Sequence, residues 1–154
     1  MIDRIKKLLN NKETRQLILY TVFGVLTTLV NWAVYFLLTA ILKPENHIKG
    51  SFMHAAILNV SNALGWIISV LFAFVTNRKY VFSSDAKDTK DKLKEFFLFV
   101  SARILSYILF DVLGYNLCIY ALNLGHSYVK IFMNVLVVVF NYFASRFVVF
   151  AKKK

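Results

Sequence analysis

The chain has 154 residues, 58% of them hydrophobic and 16% aromatic, and a formal net charge of +11. Soluble domains carry about 45–50% apolar residues, so this composition excludes an ordinary soluble domain and points to a membrane class. A single cysteine, Cys118, excludes an intramolecular disulfide and any CxxC or Cys/His zinc spacing, and one proline with five glycines leaves long helices as the expectation.

Residues 1–15 place Ile2, Ile5, Leu8 and Leu9 on one helical face between lysines. That pattern predicts an amphipathic helix on anionic membrane lipid, or else a simple positive flag for membrane topology. A first apolar run follows at about 17–42. Crossing about 30 Å of hydrocarbon takes about 20 apolar residues in a helix, so the run reads as a span. Its length, with no small-residue cleavage site after it, argues against a secretory signal. A polar loop at 43–54 holds the only proline, Pro44.

The second run, about 55–75, sets Ser61, Gly65, Ser69 and Ala73 at intervals of four. Such a stripe lets helices approach closely, within a bundle or at a homo-oligomer seam. A charged loop at 83–94 leads into the third run, about 96–122, which carries Arg103 and Asp111. A short link near Gly125 precedes the fourth run, about 129–150. Backbone groups in lipid must be satisfied internally, so all four runs are expected as transmembrane helices of an all-α protein.

The cations lie between the runs rather than along one face, which argues against a nucleic-acid partner. Fifteen of the 19 basic residues fall on one side of the four spans and three on the other, with Arg103 between. By the positive-inside rule both termini face the cytoplasm, in a multi-pass protein of the cytoplasmic membrane.

The second and fourth spans end alike. At an offset of 68 residues Arg78 falls on Arg146, Val81 on Val149 and Phe82 on Phe150. The first and third spans align near an offset of 80, setting Asn31 against Asp111. The chain thus reads as two tandem helical hairpins of one orientation, a parallel repeat.

These residues carry a resemblance. Phe23-Gly24, Thr27, Thr28 and Asn31 in the first span, residues 74–82 (FVTNRKYVF), Phe96 with Ala102-Arg103 and Asp111, and Asn141-Tyr142 with residues 146–150 resemble the GtrA-like membrane proteins. The layout and size match over nearly the whole chain. The resemblance implies movement of polyprenyl-phosphate-linked sugars across the cytoplasmic membrane, to decorate O-antigen, teichoic acid or arabinan-type polymers.

Charges inside a span are costly and face a partner or an aqueous cavity. Arg103 lies about 12 Å into its span, and Asp111 a little over two turns further. Guanidinium binds phosphate bidentately and stays charged when desolvated, so Arg103 is the candidate phosphate receptor. Arg78, Lys79 and Arg146 at span ends either capture the headgroup first or snorkel to lipid phosphates. Asp111 pairs with a base from another span, binds sugar hydroxyls or couples protons. Asn31, Asn77, Asn134 and Asn141 either glue helices together or line a sugar path, and Asn134 and Asn141 share a face at a spacing of seven.

No Walker loop, HExxH or inward carboxylate pair occurs, so neither enzymatic activity nor a cofactor is expected. Three readings follow. The first is a translocator of polyprenyl-phosphate sugars. The second is a non-transporting subunit that anchors or regulates a glycosyltransferase partner. The third is a proton-coupled small-molecule exporter, for which Asp111 is the one embedded carboxylate.

Overall fold

A computed structural model describes residues 11–122 and 126–151. Residues 1–10 of the expected surface helix and residues 123–125 of the last link lie outside these. Among the described residues the structure is helical, without strands, and four helices are long and apolar enough to cross a membrane. The chain divides into two compact units, Met1–Val81 and Phe82–Lys154.

Helix α1 (Lys12–Leu42) starts where Asn11 Oδ1 accepts a hydrogen bond from the Glu13 N–H at 3.0 Å, with Glu13 in the positive first turn. Proline disfavours a helical conformation in the residue before it, and Pro44 accordingly ends the helix. Lys43 turns left-handed (φ 47°), its N–H reaching the Thr39 carbonyl at 2.9 Å. The 31 residues rise about 46 Å, more than the hydrocarbon thickness alone requires. Thr21, Thr27 and Thr39 donate their hydroxyls to carbonyls four residues back, at 3.0, 2.7 and 3.1 Å. The helix thereby satisfies these polar side chains without water.

Helix α2 (Phe52–Thr76) begins three residues before the apolar run, because Ser51 caps it by accepting from the His54 N–H at 3.3 Å. It runs on into a π turn, Asn77–Val81. The small-residue stripe forms its seam with α1: Ser61, Gly65, Ser69 and Ala73 are all buried. A Cβ on Gly65 would stand 3.1 Å from the Asn31 carbonyl oxygen and 3.7 Å from the Tyr35 nitrogen. The stripe therefore packs inside the first unit. Tyr80 then stacks on Phe23, ring centroids 5.5 Å apart and tilted 18°.

Helix α3 (Thr89–Ser106) starts inside the charged loop, since a helix needs backbone hydrogen bonds rather than apolarity before it enters lipid. It continues through two π stretches, Tyr107–Gly114 and Leu117–Ala121. Helix α4 (His126–Ala144) ends in a π turn, Ser145–Val149, closed by the Phe150 N–H on the Ser145 carbonyl at 2.9 Å. Phe82, Phe99 and Phe150 cluster at that end, with Phe82–Phe150 stacked at 5.2 Å and Phe99–Phe150 at 6.1 Å. Gly114 receives Met133 of α4, where a Cβ would sit 3.1 Å from the sulfur.

Large apolar side chains cover the outside, Phe36 being 62% exposed and Trp32 56%. A surface of this kind is stable in lipid and an aggregation liability in water.

The seam predicts a contrast between two glycines of one hairpin. Gly65→Val must force α1 and α2 apart and should cost about 1–3 kcal/mol, the usual scale of overpacking. A Cβ on Gly24 would meet nothing within 4 Å, so Gly24→Ala should gain the helix propensity of alanine, about 0.5–1 kcal/mol. Thermal unfolding in detergent should therefore fall for the first and hold or rise for the second.

Candidate functional site

In the second unit the third and fourth helices meet through a polar chain. Arg103 is half-buried on α3, its guanidinium carbon 4.8 Å from the centroid of the Phe99 ring. Phe99 is 1% exposed, so the cation lies on a desolvated aromatic face, where such a contact is strongest. One turn on, Ser106 Oγ donates to the Arg103 carbonyl at 2.9 Å. The same oxygen accepts from Asn141 Nδ2 of α4 at 3.0 Å. With its proton already committed, the serine can only accept, and this orients the carboxamide. Asn141 is 4% exposed, and its Oδ1 has no hydrogen-bond partner.

Sequence reasoning named Arg103 and Asn141 separately and missed Ser106, the atom between them. The available signal was a hydroxyl three residues after Arg103, on the same helical face. Asp111 is half-buried within the first π stretch. An i→i+5 turn holds more residues than an α turn, so the 3.6-residue spacing that put Arg103 and Asp111 on one face does not describe this segment. Asn134 is exposed and Asn141 buried, and both stand on the regular helix α4, where a spacing of seven keeps them near one face.

At the end of α4, Arg146 is half-buried, donates from Nη1 to the Tyr142 hydroxyl at 3.3 Å and lies 5.2 Å from the Phe147 ring centroid. In the first unit Arg78 is also half-buried, while Lys79 is exposed and lies 5.1 Å from the Tyr80 ring centroid. Asn77, 2% exposed, donates from Nδ2 to the Ala73 carbonyl at 2.7 Å, and its Oδ1 has no hydrogen-bond partner. Asn31 is half-buried against Gly65. Each unit thus carries a half-buried arginine at the end of its second helix, and each contains a buried carboxamide with its oxygen open.

A cavity of about 510 Å³ lies in the second unit between the charged loop and the end of α4, walled by Asp85, Asp91, Lys94, Glu95, Leu98 and Phe150 among others. None of the candidate site residues named from the sequence lines it, although Val149 and Phe150 of the repeated span end do. Its signal was the concentration of four of the chain's eight acids within residues 85–95. Ser84, whose hydroxyl bonds Glu95, ties this loop to α3. Among the described residues no three His, Cys, Asp or Glu side chains converge as a metal site would require.

Comparison with known proteins bears on this arrangement. The chain matches the GtrA/DPMS transmembrane domain over residues 19–150. It is 32% identical to the cell wall teichoic acid glycosylation protein GtcA of Listeria monocytogenes over 142 residues, 92% of this chain and 89% of the relative. It is 31% identical to GtcA of Listeria innocua over 158 residues, 99% of this chain and all of the relative. It is 34% identical to the uncharacterized membrane protein YwcD of Bacillus subtilis over 136 residues, 88% of this chain and 97% of the relative. No solved structure matches it. With four spanning helices and a domain match that takes in nearly all of them, the chain is a multi-pass membrane protein and belongs to the GtrA/DPMS transmembrane-domain family.

Proposed function

We propose that the protein moves a polyprenyl-phosphate-linked sugar across the cytoplasmic membrane, to supply glycosylation of cell-wall teichoic acid or a related surface polymer. Family membership and the name of the GtcA relatives support the glycosylation role. The observation that carries the translocator reading is Arg103, a half-buried cation on a spanning helix, its guanidinium laid on Phe99 and its backbone carbonyl tied through Ser106 to Asn141.

A lipid phosphate crossing hydrocarbon needs a counter-charge that does not neutralise. Guanidinium keeps its proton under desolvation and offers donors in the plane of two phosphate oxygens. The termini face the cytoplasm on the charge distribution, so Arg78, Lys79 and Arg146 meet the headgroup first. Arg103 then receives the phosphate, and the open oxygen of Asn141 accepts from a sugar hydroxyl. The protein performs no bond chemistry in this scheme. Consumption of the lipid on the outer face sets the direction.

A second reading, a non-transporting subunit of a glycosyltransferase, is favoured by one observation. The charged cavity lies between the loop preceding α3 and the end of α4, at the charged rim of the second unit. Co-purification of a glycosyltransferase, lost on charge reversal at Asp85 and Asp91, would support it.

The translocator reading is tested by transfer of polyprenyl-phosphate sugars between leaflets of proteoliposomes. Arg103→Ala should slow transfer by about tenfold to a hundredfold, the scale of a lost charge-assisted hydrogen-bond pair, with Arg103→Lys in between. Equal rates in wild type, Arg103→Ala and empty vesicles would sink the reading. Ser106→Ala is a separate test of the polar chain. It leaves Asn141 Nδ2 buried without its acceptor and should lower stability by about 1–3 kcal/mol in detergent unfolding. Ser106→Thr keeps the oxygen and should largely restore it.

A further inference from the structure

The two units end their second helices in the same departure from α geometry. Asn77–Val81 and Ser145–Val149 are both five-residue π turns, and they stand at the 68-residue offset that sets Arg78 on Arg146. In both, the second residue is a half-buried arginine and the fifth a buried valine, 3% exposed at Val81 and 4% at Val149. A cation that merely snorkels needs no such backbone, because a long side chain reaches the interface from an ordinary α turn. A π turn widens the helix end and re-aims its side chains, and such turns are frequent at functional sites.

Each unit also holds an unanswered acceptor within a turn or so of its arginine. Asn77 precedes Arg78, and Asn141 precedes Tyr142, whose hydroxyl accepts from Arg146. Both carboxamides use their N–H groups, on the Ala73 carbonyl and Ser106 Oγ, and leave a buried Oδ1 without a donor. Buried acceptors are costly to leave open, and a ligand hydroxyl would close them. A cation beside an acceptor suits one kind of ligand: a phosphate with hydroxyls close by on the same headgroup.

We propose that the chain carries two lipid-headgroup sites of one plan, one at the Asn77–Val81 turn and one at the Ser145–Val149 turn, so that one chain holds two polyprenyl-phosphate sugars. This rests on the translocator reading for the class of lipid, and adds to it the number of sites and their residues. The sites are unequal. Lys79 supplies a second cation in the first turn where the second turn has Phe147, so the first site is the tighter by a few-fold.

Native mass spectrometry of the intact protein in detergent, titrated with farnesyl phosphoglucose, tests the count. Two molecules should bind per chain, and a tenfold excess of phosphatidylglycerol should not displace them. Arg78→Ala and Arg146→Ala should each leave one, the molecule kept by Arg146→Ala being the tighter, and the double variant should keep none, because Arg103 receives a headgroup only in transit from these turns. Arg78→Lys and Arg146→Lys should keep two, which separates loss of charge from loss of fold. One bound molecule that disappears with Arg103→Ala alone would overturn the two-site proposal and leave the translocator standing. Displacement by phosphatidylglycerol would also overturn it, assigning the turns to bulk lipid. Absence of any binding would overturn both readings.

Discussion

Hydrocarbon offers no water to answer a polar group, and this constraint shapes the protein from the backbone outward. It makes every span a helix. It also governs the side chains that a soluble helix would leave to solvent. The threonines of α1 turn back onto their own carbonyls, Asn59 and Asn116 do so at 2.9 and 2.6 Å, and Ser106 does so while serving α4. Against that background the open atoms stand out. Ser61 Oγ, Asn77 Oδ1 and Asn141 Oδ1 are buried acceptors without a donor, on helices whose other hydroxyls and amides turn inward in this way. Two of the three lie near the arginines at the helix ends, and the third belongs to the small-residue seam.

The same constraint explains how a cation is kept at Arg103. A charge in a low-dielectric interior is expensive, and the cost falls when a polarisable face stands beside it. The Phe99 ring attracts the guanidinium through its quadrupole, a contact that consumes none of the N–H donors a phosphate would use. Phe99 is itself fixed by the aromatic cluster with Phe150, so the end of α4 and the cation of α3 share one packed foundation. Packing at the end of α4 is therefore continuous with the position of the charge on α3.

How much of this could be read from the sequence differs by feature. The four spans were legible because about 20 apolar residues have one structural outcome in lipid. Their starts were less so: α3 begins at Thr89 and α2 at Phe52, since caps and charged turns extend helices beyond their apolar stretch. The small-residue stripe was legible as a seam, but the identity of the facing helix required the Gly65–Asn31 contact. The π stretches were not legible, because any periodicity argument presumes 3.6 residues per turn, and this presumption is what set Arg103 with Asp111. The matching ends of the second and fourth spans were visible as residues, whereas their matching backbone was not. Ser106 escaped notice since one serine in an apolar run carries no pattern. The cavity escaped because it depends on the loop folding back along α4.

A site that must release its cargo on the other side cannot be optimised for affinity. Conduction through a channel needs binding strong enough to admit the ion and weak enough to let it leave, and division among several sites meets both demands. The same logic applies to a lipid headgroup. One site that met a phosphate with every donor at once would hold it as a trap. Half-buried arginines at separate positions, two of them on aromatic faces, distribute the interaction instead. A carrier of the proposed kind works through such differences in binding, because a ligand shifts an equilibrium no further than its differential affinity allows. The modest, repeated character of the proposed sites is therefore what the proposed translocation would demand of them.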